Sequence, residues 1–210
     1  MAQIAICCAD IGSVRRGKFG WASYPEVADA DHVSPRSLVR YVAERLEANV
    51  KVALGFECPL WVPVADEPSD LTKARHGEGN RAWSAGAGAG SLATGLTEVA
   101  WILDRIHHEV PRAESFLDWE DFKAAANGLF IWEAFVTADA KRESHKDDAQ
   151  AAVEAFRDAL PDPSLSNALA AMGRIRSLIG GALLWSGWTK DLEKLDEPSI
   201  VIKPQEPYGA

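Results

Sequence analysis

The sequence predicts a single α/β domain on a mixed sheet: an early antiparallel hairpin, later parallel strands, and helices flanking them. Three observations predict it. Strand-like apolar runs open the chain and recur at Val52 to Glu57 and Leu129 to Phe135. Segments with helical apolar spacing separate and follow the later runs. Two of the runs end in an acid, Asp10 and Glu57. Strands early and helices interleaved afterwards describe a sheet covered by helices. With 210 residues, 47% hydrophobic and 25% charged, the chain has globular composition and enough length for one well-filled core. One domain is expected over residues 1–210, with a loop insertion at about 66–90.

Along the chain, Gln3 to Asp10 reads as a buried strand with Ile4, Ile6, Cys8 and Asp10 on one face. Gly12 to Lys18 carries turn signals, and Phe19 to Tyr24 closes a hairpin. Val27 to Val33 gives a faint third strand. Ser34-Pro35 supplies an N-cap and a first-turn proline, and Leu38, Val39, Val42 and Leu46 follow at helical spacing to about Asn49. Val52 to Glu57 is a short apolar strand that Cys58-Pro59-Leu60 stops. Asp66 to Gly90, rich in Gly, Ala, Ser and charge, reads as a long loop. Helices are expected at Ser91 to Glu109, Leu117 to Ala126, Ser144 to Leu160 and Leu165 to Trp185, and strands at Leu129 to Phe135 and Ser199 to Lys203.

The acids carry the chemical interest. A buried carboxylate costs several kcal/mol in order of magnitude unless it is paired, hydrogen-bonded or metal-bound. Asp10 reads either as a cap on the following turn or as a ligand, and Glu57 either as a strand-end partner of a basic residue or as a ligand. Two such strands lying parallel bring both acids to the edge where open α/β sheets place ligands. In Ser144-His145-Lys146-Asp147-Asp148, the apolar stripe of Ala149, Ala152, Val153, Phe156 and Leu160 turns His145 and Asp148 inward and Asp147 outward. Asp147 then fits a capping box with Ser144, and Asp148 aims at the sheet as a third ligand. Glu133, inside an apolar strand, either joins the cluster or faces solvent. Clustered carboxylates suit Mg²⁺ or Mn²⁺, which take oxygen ligands and can activate water against a phosphodiester.

Ala9-Asp10-Ile11-Gly12 with Gly17-Lys18-Phe19-Gly20-Trp21-Ala22 resembles the opening hairpin of the DUF429 group, predicted nucleases of the ribonuclease H-like superfamily. Glu57-Cys58-Pro59-Leu60 is similar to that group's acid-x-Pro-Leu segment, Ile131 to Phe135 to its Glu-bearing strand, and His145 to Ala155 to its final acidic helix. The resemblance covers Gln3 to Arg157 discontinuously. It departs at position 57, where the group more often has Asp, and over Asp66 to Gly90. It implies a ribonuclease H-like fold and a nuclease site in which Asp10, Glu57 and Asp148 hold Mg²⁺ or Mn²⁺ and Glu133 or His145 assists.

Three function classes follow. The first is a metal-dependent nuclease, with Lys18, Arg75 or Arg81 steadying a nucleic-acid backbone. The second is a non-catalytic binding or scaffold protein on the same fold, with Trp61, Trp83, Trp185 and Trp188 as candidate surface anchors. The third is an ATP-using enzyme of the actin-like or sugar-kinase kind, touching phosphate through the Gly12 to Gly17 tip. A net charge of -9 argues against non-specific coating of nucleic acid, though not against a local basic groove. The Gly86 to Ser91 run lacks the Lys-Ser/Thr pair of a P-loop and reads as a flexible lead into a helix. The 3 cysteines show no zinc or disulfide spacing and read as buried thiols. No basic leader and no run of about 20 apolar residues is present, so a cytoplasmic protein without membrane contact is expected.

Overall fold

The computed structural model describes residues 4–27, 29–79, 82–137 and 140–205. Its main sheet contains β1 (Ile4–Asp10), β2 (Gly20–Tyr24), β3 (Lys51–Glu57), β5 (Ser115–Phe116), β6 (Leu129–Ala134) and β8 (Val201–Ile202). The order is β2-β1-β3-β6, with β5 and β8 both pairing to the far side of β6. The β1–β2 pair is antiparallel and the others are parallel. This is the expected α/β mixed sheet, hairpin first and parallel strands after. A two-stranded antiparallel sheet, β4 (Trp61–Pro63) with β7 (Ile175–Ser177), lies apart from it.

The strands are apolar on both faces because helices cover both. On one face, Ala5, Cys7, Ala9, Val52, Leu54, Leu129 and Ile131 pack against α1 (Pro35–Glu47), α2 (Gly86–Glu109) and α5 (Leu178–Trp185). On the other, Ile6, Cys8, Ala53, Phe130 and Trp132 pack against α3 (Trp119–Ala124) and α4 (His145–Asp158). Strand alternation therefore sorts every side chain of β1, β3 and β6 to one face or the other. All three cysteines are buried free thiols.

Caps fix the helix starts that matter. Ser34 accepts the Ser37 amide to begin α1, with Pro35 in the first turn. Ser144 accepts the Asp147 amide at 3.2 Å to begin α4, and its hydroxyl donates to Asp147 Oδ2 at 2.6 Å. The N-terminal backbone of α4 then lies directly on β2. A Cβ added at Gly20 would sit 2.5 Å from both the carbonyl carbon of His145 and the amide nitrogen of Lys146.

Three expectations are corrected. Val27 to Val33 is not a strand among its described residues. It is a loop that caps the edge of β2, with Trp21 N donating to His32 O at 2.9 Å and Trp21 Nε1 to Asp31 O at 3.0 Å. The helix expected from Ser91 begins at Gly86, so the Gly/Ala run belongs to α2 and the loop ends at Ala85. Leu165 to Trp185 is not one helix. A short 3-10 turn, a loop and β7 precede α5, Gly173 stands at φ +118°, and Ser177 caps α5 through the Gly180 amide.

Gly20→Ala is expected to cost about 1–3 kcal/mol, because the added methyl meets helix backbone that cannot yield locally. Urea denaturation of the two proteins measures it, and unchanged stability would show that α4 shifts freely on β2.

Candidate metal centre

The register of β1 on β3 pairs Asp10 with Glu57 at the carboxyl ends of two parallel neighbours, on the face that α4 covers. The close approach at Gly20 delivers the first turn of α4 to the same point. His145 Nδ1 lies 2.6 Å from Asp10 Oδ2. Asp148 faces inward and is 3% exposed, while Asp147 stays outside as a cap. The segment before α4 folds back over the acids, and the Arg142 amide donates to Asp148 Oδ1 at 2.6 Å.

One atom each from Asp10, His145 and Asp148 can be chosen so that all three lie within 4.8 Å of one another, close enough to serve one ion. Glu57 stands outside that trio and joins it through Lys141. The Lys141 ammonium donates to Glu57 Oε1 at 2.6 Å and Asp148 Oδ2 at 2.9 Å, and lies 3.8 Å from Asp10 Oδ2. Glu57 Oε2 is buried with no hydrogen-bond partner among the described residues.

The electrostatics follow from burial. Burial pushes Glu57 up to about 8, with the Asp10 charge adding to it and Lys141 pulling the other way. Burial also raises Asp10, against the pull of Lys141 and His145. It works against the Lys141 ammonium too, but Glu57 and Asp10 outweigh it and hold that pKa above the ordinary lysine value. The donor set fits a divalent cation: carboxylates from two strands and a helix, an imidazole, and an oxygen of Glu57 still unpartnered.

Glu133 and Arg75 go elsewhere. Glu133 sits on the opposite face from Asp10 and Glu57, because it alternates with Phe130, Trp132 and Ala134 along β6. It is neither at the cluster nor in solvent: it is 1% exposed, and Arg75 donates to its two oxygens at 2.7 and 2.8 Å. The Leu60 amide adds a bond at 2.9 Å, and Arg75 Nη2 also meets Glu78 Oε1 at 3.0 Å. The Arg75 side chain, 1% exposed, is saturated by these acids and stacks on the Trp61 ring. Lys18 is exposed on the hairpin, and Arg81 lies outside the described residues. Among the tryptophans, Trp61 and Trp188 are buried, Trp83 donates to Lys73 O, and Trp185 is exposed.

A cavity of about 660 Å³ opens on the acids. Asp10, Glu57, Lys141 and His145 line one part of it, and the small residues at the start of α2 form another wall. Sequence reasoning missed Lys141, which no motif marks, and Glu98. Glu98 sits on α2 between buried Gly95 and Ile102, a polar residue on an apolar stripe, which was the available signal. Its Oε2 is buried and unpartnered among the described residues. Burial pushes its pKa up to about 7, opposed by the Gly12 and Val14 amides.

No family model, no curated protein and no solved structure matches the chain. Among the described residues, no helix is long and apolar enough to cross a membrane.

Arg75→Met is expected to destabilise the protein by about 3–5 kcal/mol, since it strands two buried carboxylates; chemical denaturation gives the value. Glu98 supplies a pH dependence. Its folded pKa of about 7 exceeds the ordinary 4.5, so the unfolded chain loses this proton first as pH rises. Stability at this site therefore falls between about pH 4.5 and 7 and levels off above. Glu98→Gln removes that loss. The melting temperature of the variant relative to wild type should rise from pH 5 to pH 8, and a constant difference would contradict the assignment.

Proposed function

We propose that this chain is a divalent-metal-dependent nuclease of the ribonuclease H-like kind, related to the DUF429 group that its motifs resemble. The observation that carries the reading is the meeting of Asp10 and Glu57, from paired parallel strands, with His145 and Asp148 from the start of α4. Asp10, Asp148 and His145 would hold the ion, with Glu57 beside them. Bound Mg²⁺ or Mn²⁺ supplies Lewis acidity toward a phosphodiester.

The protein's own groups divide the remaining work. Asp10 orients the His145 ring through the 2.6 Å contact at Nδ1. The Arg142 amide fixes Asp148. The saturated Arg75–Glu133–Glu78 network holds the neighbouring wall of the cavity rigid rather than gripping a ligand. With a net charge of -9, the chain favours a substrate strand that enters the cavity locally over a duplex laid across its surface.

The test is cleavage of labelled single- and double-stranded DNA and RNA in Mn²⁺, wild type beside Asp10→Asn. Loss of even an outer partner of a metal ligand costs 10–100-fold, so Asp10→Asn should lower the rate by about a hundredfold or more. Equal rates in the two proteins would remove Asp10 from the site.

One observation favours a second reading. Lys141 already sits among the acids as a counter-charge, as it would in a structural charge cluster of a non-catalytic binding protein. Calorimetry that detects no Mn²⁺ binding at millimolar concentration would favour that reading.

A further inference from the structure

We propose that Lys141 is the resident cation of the carboxylate cluster, and that a divalent ion binds only in exchange for its ammonium group. The inference rests on the metal reading above and adds a determinant of metal affinity that no motif marks.

The geometry makes the two occupants exclusive. Lys141 Nζ takes Glu57 Oε1 at 2.6 Å and Asp148 Oδ2 at 2.9 Å, and stands 3.8 Å from Asp10 Oδ2. A divalent ion draws on the same carboxylates at about 2.0–2.6 Å. An ion within reach of Asp10 and Asp148 falls next to the ammonium, in a buried place where like charges repel strongly.

The route out is equally plain. The Lys141 side chain is 39% exposed, although the acids it touches are 5–12% exposed. It lies on the short segment between β6 and α4, whose residues 141–144 are all exposed. The Arg142 amide and the Ser144 cap anchor this segment just beyond Lys141. The side chain can therefore swing to solvent while His145 and Asp148 keep their places. The exchange replaces one positive charge with two among three carboxylates, and it frees Glu57 Oε1 to join its unpartnered Oε2.

Two measurements test the exchange. The first is Mn²⁺ titration by calorimetry of wild type and Lys141→Met. Removing the competing positive charge beside the ion should tighten binding by about tenfold or more. The second needs no variant: amine labelling of wild type read by mass spectrometry, with exposed Lys73 as internal reference. Lys141 should be protected without metal and become severalfold more reactive in Mn²⁺, while Lys73 stays constant. Equal Mn²⁺ affinity in the two proteins with unchanged Lys141 labelling would overturn the exchange and leave the metal reading standing. Absence of Mn²⁺ binding to either protein would overturn both. If Lys141→Met does not fold, the labelling of wild type decides alone.

Discussion

Parallel pairing of β1 with β3 sets Asp10 opposite Glu57, and that register constrains everything built around it. Neighbouring strands run about 4.8 Å apart, so two carboxylates in register on one face repel unless something lies between or beside them. The protein answers with α4, whose first turn supplies His145 to Asp10, and with the segment before it, which supplies Lys141 to Glu57. Gly20 is what lets α4 come that close. Hairpin, helix start and connecting segment thus form one unit organised around two strand-end acids.

The parts of the fold that were legible in the sequence are those set by local chemistry. Apolar runs ending in acids gave β1 and β3, Ser34-Pro35 gave the start of α1, and Ser144 with Asp147 gave the start of α4. The failures have physical causes. β5 is two residues long and exists only through pairing with β6. Leu165 to Trp185 has helical composition, but its first half is held by tertiary contacts: Ala168 N donates to Val201 O, and β7 pairs with β4. The glycines of Gly86 to Gly90 argue against a helix, yet tertiary packing of the following turns extends α2 through them.

Legibility within the site divides the same way. Helical periodicity separated Asp148 from Asp147 because it needs only the apolar stripe of one element. Alternation along β6 could have separated Glu133 from Asp10 and Glu57, but only once the faces of three strands were aligned, which requires their registers. Lys141 and the Arg75–Glu133 pair, 58 residues apart, are contacts between distant segments, and no local pattern encodes them.

Two charge clusters lie on opposite faces of the sheet, and their hydrogen bonding differs. In the Arg75 cluster both Glu133 oxygens are satisfied, Oε1 by Arg75 and Oε2 by Arg75 and the Leu60 amide, and the arginine and both acids are 1% exposed. A network so saturated has no bond left to offer a ligand although its residues also line the cavity, and its work is to hold the loop around Arg75 against the sheet. In the Lys141 cluster Glu57 Oε2 has no partner among the described residues, the lysine reaches solvent, and a cavity opens on the acids. Buried polar atoms are almost always paired, so an unpaired buried carboxylate oxygen marks a place where another group belongs. Sequence alone ranked Glu133 with the functional residues as an acid inside an apolar strand, and Arg75 as a cation able to steady a nucleic-acid backbone. Counting the bonds left unmade separates the two clusters, and it places the unfilled bonding capacity on the α4 face of the sheet.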